Sequence, residues 1–422
     1  MGVDVPVTVA QVFQIFKEVY GTRIEAQANK TAFLYKEFDK SKEEMAAGKY
    51  WTFPVLDEAG FGAVGARKDG TQLPPATPES PLQTTIYPRY NYATIQVSGP
   101  SIAQSRSKAL AFIKAKDLEM QEKTLSLISD MNRQCYTNSY GDMWVEASDG
   151  ANTITFVAGT NMNWFRKGQR IDMFDATLAT KRNGTVGTTR EGRTITAINK
   201  ATLTITYDGT DLASSLAATD RVFREDVRCG FTGTQEGAEL TGLRHLIDDG
   251  TDSSATCQNI ARGTYGIWKG QRLFASGTAR PLSLRLIQQA IDTTLIESGQ
   301  DIDFLLSGLG QRLNYVDLLW HDARYADQTF KGGFRVLQYA GGATSIDWYT
   351  DKDCLSGQVI GLRRQSVKRY EVQAMGILDE DNAGKIRLPG YDVYEVLLGC
   401  YGNIGITRGN CNFRLGDLSE PY

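Results

Sequence analysis

The chain has 422 residues, a formal net charge of -3, 41% hydrophobic and 23% charged residues. That length predicts two or three domains, and the composition is that of a globular protein able to bury a core. The near-neutral balance excludes a protein whose work is to neutralise nucleic-acid phosphates, which needs a concentrated basic footprint, though not a container that merely faces nucleic acid. The six cysteines contain no C-x-x-C pair and no signal peptide opens the chain, so reduced, mostly buried thiols are expected rather than a zinc ribbon or a disulfide framework. No apolar run approaches the roughly 18 residues of a membrane helix.

Residues 1–47 form an N-terminal arm. Val12, Phe13, Ile15, Phe16 and Val19 predict a short amphipathic helix, and Phe33, Leu34, Tyr35 and Phe38 a second apolar patch. Residues 48–97 are an out-and-back β arm. Lys49 to Leu56 runs out, a Gly/Pro-rich excursion follows, and Thr85 to Val97 runs back. Its edges carry Tyr50, Trp51, Phe53, Tyr87, Tyr90 and Tyr92, its tip carries Phe61, and Arg67, Lys68 and Arg89 add charge. Aromatic groups on a projecting ribbon mark a protein–protein contact, so these residues are the expected inter-subunit contacts. Gly60 to Gly65 matches G-x-G-x-x-G, but Pro74, Pro75, Pro78 and Pro81 forbid the helix that a dinucleotide site needs.

Ser98-Gly99-Pro100-Ser101 is a helix start signal. One long helix is predicted from there to Tyr136, within a segment 98–142. Ile113, Met120 and Leu127 form its stripe, Ala111, Leu118 and Leu125 an adjacent row, continued by Ile128 and Met131. Residues 143–226 predict a small barrel or sandwich, with period-two strands at Thr153–Val157, Phe165–Met173, Arg193–Ile198 and Thr202–Tyr207. Asp149-Gly150, Asn183-Gly184 and Asp208-Gly209 are its expected turns. The remainder, 227–422, becomes α/β. Pro281–Ser298 is a helix with Leu284, Ile287, Ile291 and Leu295 on one face, stopped at Gly299. Gly308–Trp320 is a second, with Leu309, Leu313, Val316 and Leu319 or Trp320 on its apolar side. Strands are expected at Asp303–Leu306, Phe334–Tyr339, Ser345–Tyr349, Gln358–Leu362 and Tyr391–Ile406.

Chemistry is sparse. The two histidines, His245 and His321, sit in no catalytic motif, and no nucleophile elbow or Walker lysine is present. Asp301/Asp303 and Asp351/Asp353 lack the ligand spacing of a calcium loop. No catalytic residue, cofactor or metal is assigned. Arg363, Arg364, Lys368 and Arg369 are the strongest local charge run, either a solvated strand edge or an inter-subunit or polyanion contact.

The order of these parts resembles the major capsid proteins of tailed bacteriophages, the Hong Kong 97-type fold: arm, long β loop, long helix, β-rich segment, α/β domain. The run Thr329–Gly342, then Ile346-Asp347 and Gly357–Leu362, is similar to the axial-domain run of that family, as is the closing Tyr401–Asn410. The resemblance implies an α+β fold with an N-terminal arm, an extended loop at 48–97, a spine helix and the start of the peripheral domain at 98–142, a β-rich insertion at 143–226, and an axial domain with peripheral return strands at 227–422. It implies a non-enzymatic shell protein forming pentamers and hexamers around double-stranded DNA, assembled in the bacterial host cytoplasm and carried in the virion. A separate scaffolding protein, a portal and a decoration protein are the implied partners, with no membrane. An encapsulin-like nanocompartment is the near alternative. A carbohydrate-binding, adhesin-like protein is the alternative from another class.

Overall fold

The computed structural model describes residues 34–43, 45–46, 48–56, 64–74, 81–104, 115–150, 152–157, 159–209, 216–231, 235–252, 254–322, 337–340, 345–378, 386–387 and 389–421. The N-terminal helix expected near Val12, Phe61 at the loop tip, most of Gly60–Gly65, and Ala111 and Ile113 lie outside them. So does most of Thr329–Gly342. The chain is mixed α+β, rich in sheet, and divides into two compact units.

The first unit combines residues 1–36, 88–132 and 371–402. Its centre is a ladder between two distant segments. Arg89–Ser98 runs antiparallel to the C-terminal strand, from Arg89 opposite Gly402 to Ser98 opposite Val393. Burial alternates along Arg89–Ser98 as a half-buried strand requires: Asn91, Ile95 and Val97 point inward, Tyr90, Tyr92 and Thr94 outward. The chain then enters helix Gly99–Gln104, where the Ser98 hydroxyl accepts from the Ser101 N–H at 3.4 Å. A helix of 20 residues spans Ala115–Gln134. The expected single helix is therefore seen as two segments, and 105–114 lies outside the described residues. Leu127 and Met131 are buried at a spacing of four, the inward stripe the sequence predicts. Asn132 accepts the backbone N–H of buried Leu34 at 3.1 Å, tying the arm to the helix.

The second unit combines 37–87, 133–370 and 403–422. Six strands close a barrel: Asp142–Gly150, Thr153–Phe156, Arg170–Phe174, Arg193–Asn199, Thr204–Tyr207 and Arg221–Arg224. Period two fills its interior with Ile154 and Phe156, Ile171 and Met173, Ile205 and Tyr207. The turn expected at Asp149-Gly150 is instead the end of a strand. The reversal falls one step later, where Asn152 takes φ 55°, a conformation Asn tolerates. Phe165–Gln169 likewise precedes its strand, which begins at Arg170.

A six-stranded sheet runs in the order Gln271–Leu273, Phe413–Leu415, Val359–Leu362, Phe304–Ser307, Ser345–Thr350, Leu337–Ala340. Helices Leu284–Ser298 and Leu309–Asp322 cover it, packing Ile287, Ala290, Ile291 and Tyr315 on Leu305, Trp348, Phe413 and Leu415. The first helix starts later than the expected Pro281, at Leu284, where Ser283 caps it by accepting from the Leu286 N–H at 3.2 Å, and it ends as expected at Gly299, φ 65°. The buried stripe differs from the expected one. Leu295, Leu309 and Leu313 face outward, while Thr294 and Gln311 are fully buried. Those two polar residues tolerate burial because each is bonded. Thr294 donates to the Ala290 carbonyl at 2.8 Å, and Gln311 to the Ser419 carbonyl at 2.9 Å. The barrel joins this sheet through Asn161, whose amide donates to the carbonyls of Lys352 and Cys354, both at 2.8 Å.

Candidate assembly surfaces

At the root of the β arm the out-and-back ladder is real but short. Trp51 pairs with Ile86, and Pro54–Val55 with Leu82–Gln83. Trp51 is only 2% exposed, its ring 5.5 Å from Tyr370, and Phe53 stacks on the same Tyr370 at 6.4 Å. Trp51 was expected on the surface as a contact. It is instead a core residue of its own chain, because the strand carrying Tyr370 supplies the apolar partner. Tyr50 is half-buried and meets Tyr87 edge-on at 5.9 Å, while Tyr87 remains 54% exposed. Further out, Arg67 and Lys68 are exposed.

The other aromatics lie in the first unit, on the outward face of the Arg89–Ser98 strand. Tyr90 and Tyr92 are 52% and 53% exposed, and both rest edge-on against Tyr401 at 5.3 and 5.7 Å. The ladder produces this cluster, since Tyr90 is directly opposite Tyr401 and Tyr92 is one step away on the same face. Arg89, also expected as a contact, is buried by strand parity and presents no free surface.

The basic run is split by its fold. Lys368 and Arg369 are half-buried in a strand that pairs in parallel with Asp39 and Lys40. Arg364 is engaged within the chain: it meets the Glu37 carboxylate at 2.6 Å, and its guanidinium lies 5.3 Å from the Phe304 ring. Arg363 has no carboxylate partner among the described residues. Sequence reasoning missed Ile296, 81% exposed, together with Leu295, Leu309 and Leu313 on the two sheet-covering helices. The signal was present as a second apolar row in each helix, but which row faces the sheet is a tertiary choice.

His245, Asp303 and Asp351, weighed for chemistry, are held within the fold. His245 is fully buried, with the nearest carboxylate, Glu236, at 3.9 Å. Asp351 accepts from the buried Tyr136 hydroxyl at 2.8 Å, and Asp303 accepts from the Arg364 N–H at 2.9 Å. Among the described residues no cluster of His, Cys, Asp or Glu converges on a metal position. No described helix is long and apolar enough to cross a membrane. All six cysteines are free thiols, buried except for half-buried Cys229.

No protein-family model matches the chain, and no curated protein matches its sequence. Solved structures do. The capsid asymmetric unit of cyanophage A-1(L) superposes at TM-score 0.55 with 10% identity, covering 95% of this chain and 98% of that chain. The capsid of an empty GTA particle superposes at 0.51 with 7% identity, covering 99% and 100%. The holo-SrpI encapsulin complex from Synechococcus elongatus PCC 7942 superposes at 0.45 with 7% identity, covering 99% and 98%. The chain has the fold of a tailed-phage major capsid protein.

Proposed function

We propose that this chain is a shell-forming major capsid protein, assembling as pentamers and hexamers into an icosahedral shell around double-stranded DNA. The observation that carries the reading is the end-to-end correspondence with a cyanophage capsid subunit, nearly complete in both chains. The exposed groups support it. Tyr87, Tyr90, Tyr92 and Ile296 are exposed apolar groups that a partner could cover, and copies of the same chain are the partner that a shell supplies. In this reading the unit containing Arg89–Ser98 is the peripheral domain and the six-stranded sheet the axial domain. The barrel is an insertion, and the β arm beyond its Trp51–Ile86 root lies over an adjacent subunit. DNA would face the inner surface without sequence readout, in keeping with the net charge of -3. A separate scaffolding protein, a portal and a decoration protein would complete the particle, formed in the bacterial cytoplasm. The test is negative-stain electron microscopy of the chain after gel filtration, alone and co-expressed with its neighbouring phage genes. Uniform hollow polyhedra are expected. A monodisperse monomer or dimer under both conditions counts against the proposal.

A further inference from the structure

In the second unit, beyond the Gly299 end of helix Leu284–Ser298, lies a cavity of about 230 Å³. Arg363, Arg408, Gln300, Gln365, Thr407 and Cys411 line it, with Ser366 behind, and no carboxylate is on its wall. Among the described residues neither arginine makes an ion pair. Arg363 reaches only the Gln365 side-chain oxygen at 3.5 Å, and the Arg408 Nε is buried without a hydrogen-bond partner. Their neighbour Arg364 shows what satisfaction looks like here, with Glu37 at 2.6 Å. The nearby Asp303 is engaged by the Arg364 backbone.

The hydroxyls are already committed. Ser366 donates to the Arg363 carbonyl at 2.8 Å and Thr407 to the Ser366 carbonyl at 3.2 Å, so they hold the loop rather than face a ligand. That leaves Arg363, Arg408, Gln300 and Gln365 as the lining residues that could meet a ligand. The Cys411 thiol registers the same field. Burial raises it overall, partly offset by the Ser366 hydrogen bond and the charges of Arg408 and Arg363. A concave wall carrying two half-buried arginines and no counter-ion is a place where an anion would gain charge-assisted hydrogen bonds.

The cavity exceeds the space of a single water and is smaller than a drug-sized pocket, about 300 Å³ at the least. A carboxylate offers two acceptors in one plane. A phosphate offers three or four, enough to engage two separate guanidinium forks. We propose that Arg363 and Arg408 form a phosphate-binding pocket, filled either by free phosphate or by a phosphodiester of DNA. The inference does not depend on shell formation and is tested on the unassembled full-length chain.

The probe is inorganic phosphate, read by thermal unfolding and by titration calorimetry against chloride at matched ionic strength and pH. Wild type is expected to gain several degrees in Tm with phosphate and none with chloride. Arg363→Gln and Arg408→Gln should each weaken binding about tenfold, a loss in keeping with one charge-assisted hydrogen-bonding group. Arg387→Gln, on an exposed arginine elsewhere, should change nothing. If Arg408→Gln does not fold by circular dichroism, Arg408→Lys supplies the reading, with weakened but measurable binding. Displacement of phosphate by a short DNA duplex assigns the site to the phosphodiester; no displacement assigns it to free phosphate. Absence of a phosphate-specific gain in wild type, or a gain that survives both glutamine variants, overturns the proposal.

Discussion

Two aromatic clusters lie some forty residues apart in the chain, and their side chains meet opposite fates. Trp51 and Phe53 close on Tyr370, and Trp51 disappears from solvent. Tyr90 and Tyr92 close on Tyr401 and remain half exposed. The Tyr90/Tyr92 cluster is built across a strand pairing, whereas Trp51 is bridged to Ile86 and meets Tyr370 from a strand it does not pair with; each cluster belongs to one unit. The difference is the face on which the partner sits. The Tyr370 partner lies on an inward face that also holds Ile86, so the cluster completes a core. The Tyr401 partner lies on an outward face, so the cluster forms a displayed surface. Aromatic content alone does not separate a core from an interface; the face that the tertiary partner occupies does.

The sharpest way to break this contrast is Trp51→Ala. Removing a buried indole should cost about 3–5 kcal/mol of subunit stability in urea unfolding, with assembly lost only as a consequence. A cost below about 1 kcal/mol would mean that Trp51 is not core.

Charge offers the same contrast. Arg414 is fully buried and pairs with Asp252, whereas Arg387 and Asp392 pair at 3.7 Å with both side chains largely exposed. Asp252→Asn should destabilise by about 3 kcal/mol, because it strands a buried cation. Asp392→Asn should cost less than about 0.5 kcal/mol. Burial pushes the Asp252 carboxyl up, but Arg414, Arg244 and Arg272 outweigh that and hold it below the usual 3.8. A lowered carboxyl contributes stability that is complete above its ordinary value and is lost as pH falls through the folded value. Acid unfolding below about pH 4 should therefore be less steep in Asp252→Asn than in wild type. Identical acid limbs would exclude this pair as the source.

On the displayed side, the double variant Tyr90→Ala with Tyr92→Ala should cost the subunit less than about 1 kcal/mol yet prevent particle formation. Normal particles by electron microscopy would show that this face is not an assembly contact. The smallest expected effect is spectroscopic. Burial, then the Tyr401 hydrogen bond and the neighbouring phenols, push Tyr92 up from 10.0 to about 12. Between those values the folded chain holds a proton that the unfolded chain has released, so stability falls as pH rises across the window. In Tyr401→Phe, tyrosinate absorbance should show one phenol titrating nearer its ordinary value; an unchanged curve would detach Tyr92 from Tyr401.

Much of this architecture was legible before any coordinates. Ser98 and Gly299 announce helix ends through local backbone chemistry, and both act as expected, whereas the start expected at Pro281 falls at Ser283. The alternating patterns of 153–157, 193–198 and 202–207 announce strands, and strands form at 153–156, 193–199 and 204–207. The assembly surfaces were legible only in part. Tyr87, Tyr90 and Tyr92 are displayed, Trp51 and Arg89 are not, and Leu295, Leu309 and Leu313 emerge where an inward face was expected. The paired Arg364 and the ion-pair-free Arg363 are adjacent in sequence, and nothing local distinguishes them.

By itself the sequence determined element types, most helix ends, the order of parts and thereby the family resemblance, because propensity, capping and periodicity act over a few residues. Only the tertiary structure decided that Arg89–Ser98 pairs with Val393–Gly402, that six strands close into a barrel, and which of two apolar rows each helix buries. Those outcomes depend on contacts between segments as much as three hundred residues apart, whose free energy is set by mutual packing and leaves no periodic trace in either segment alone.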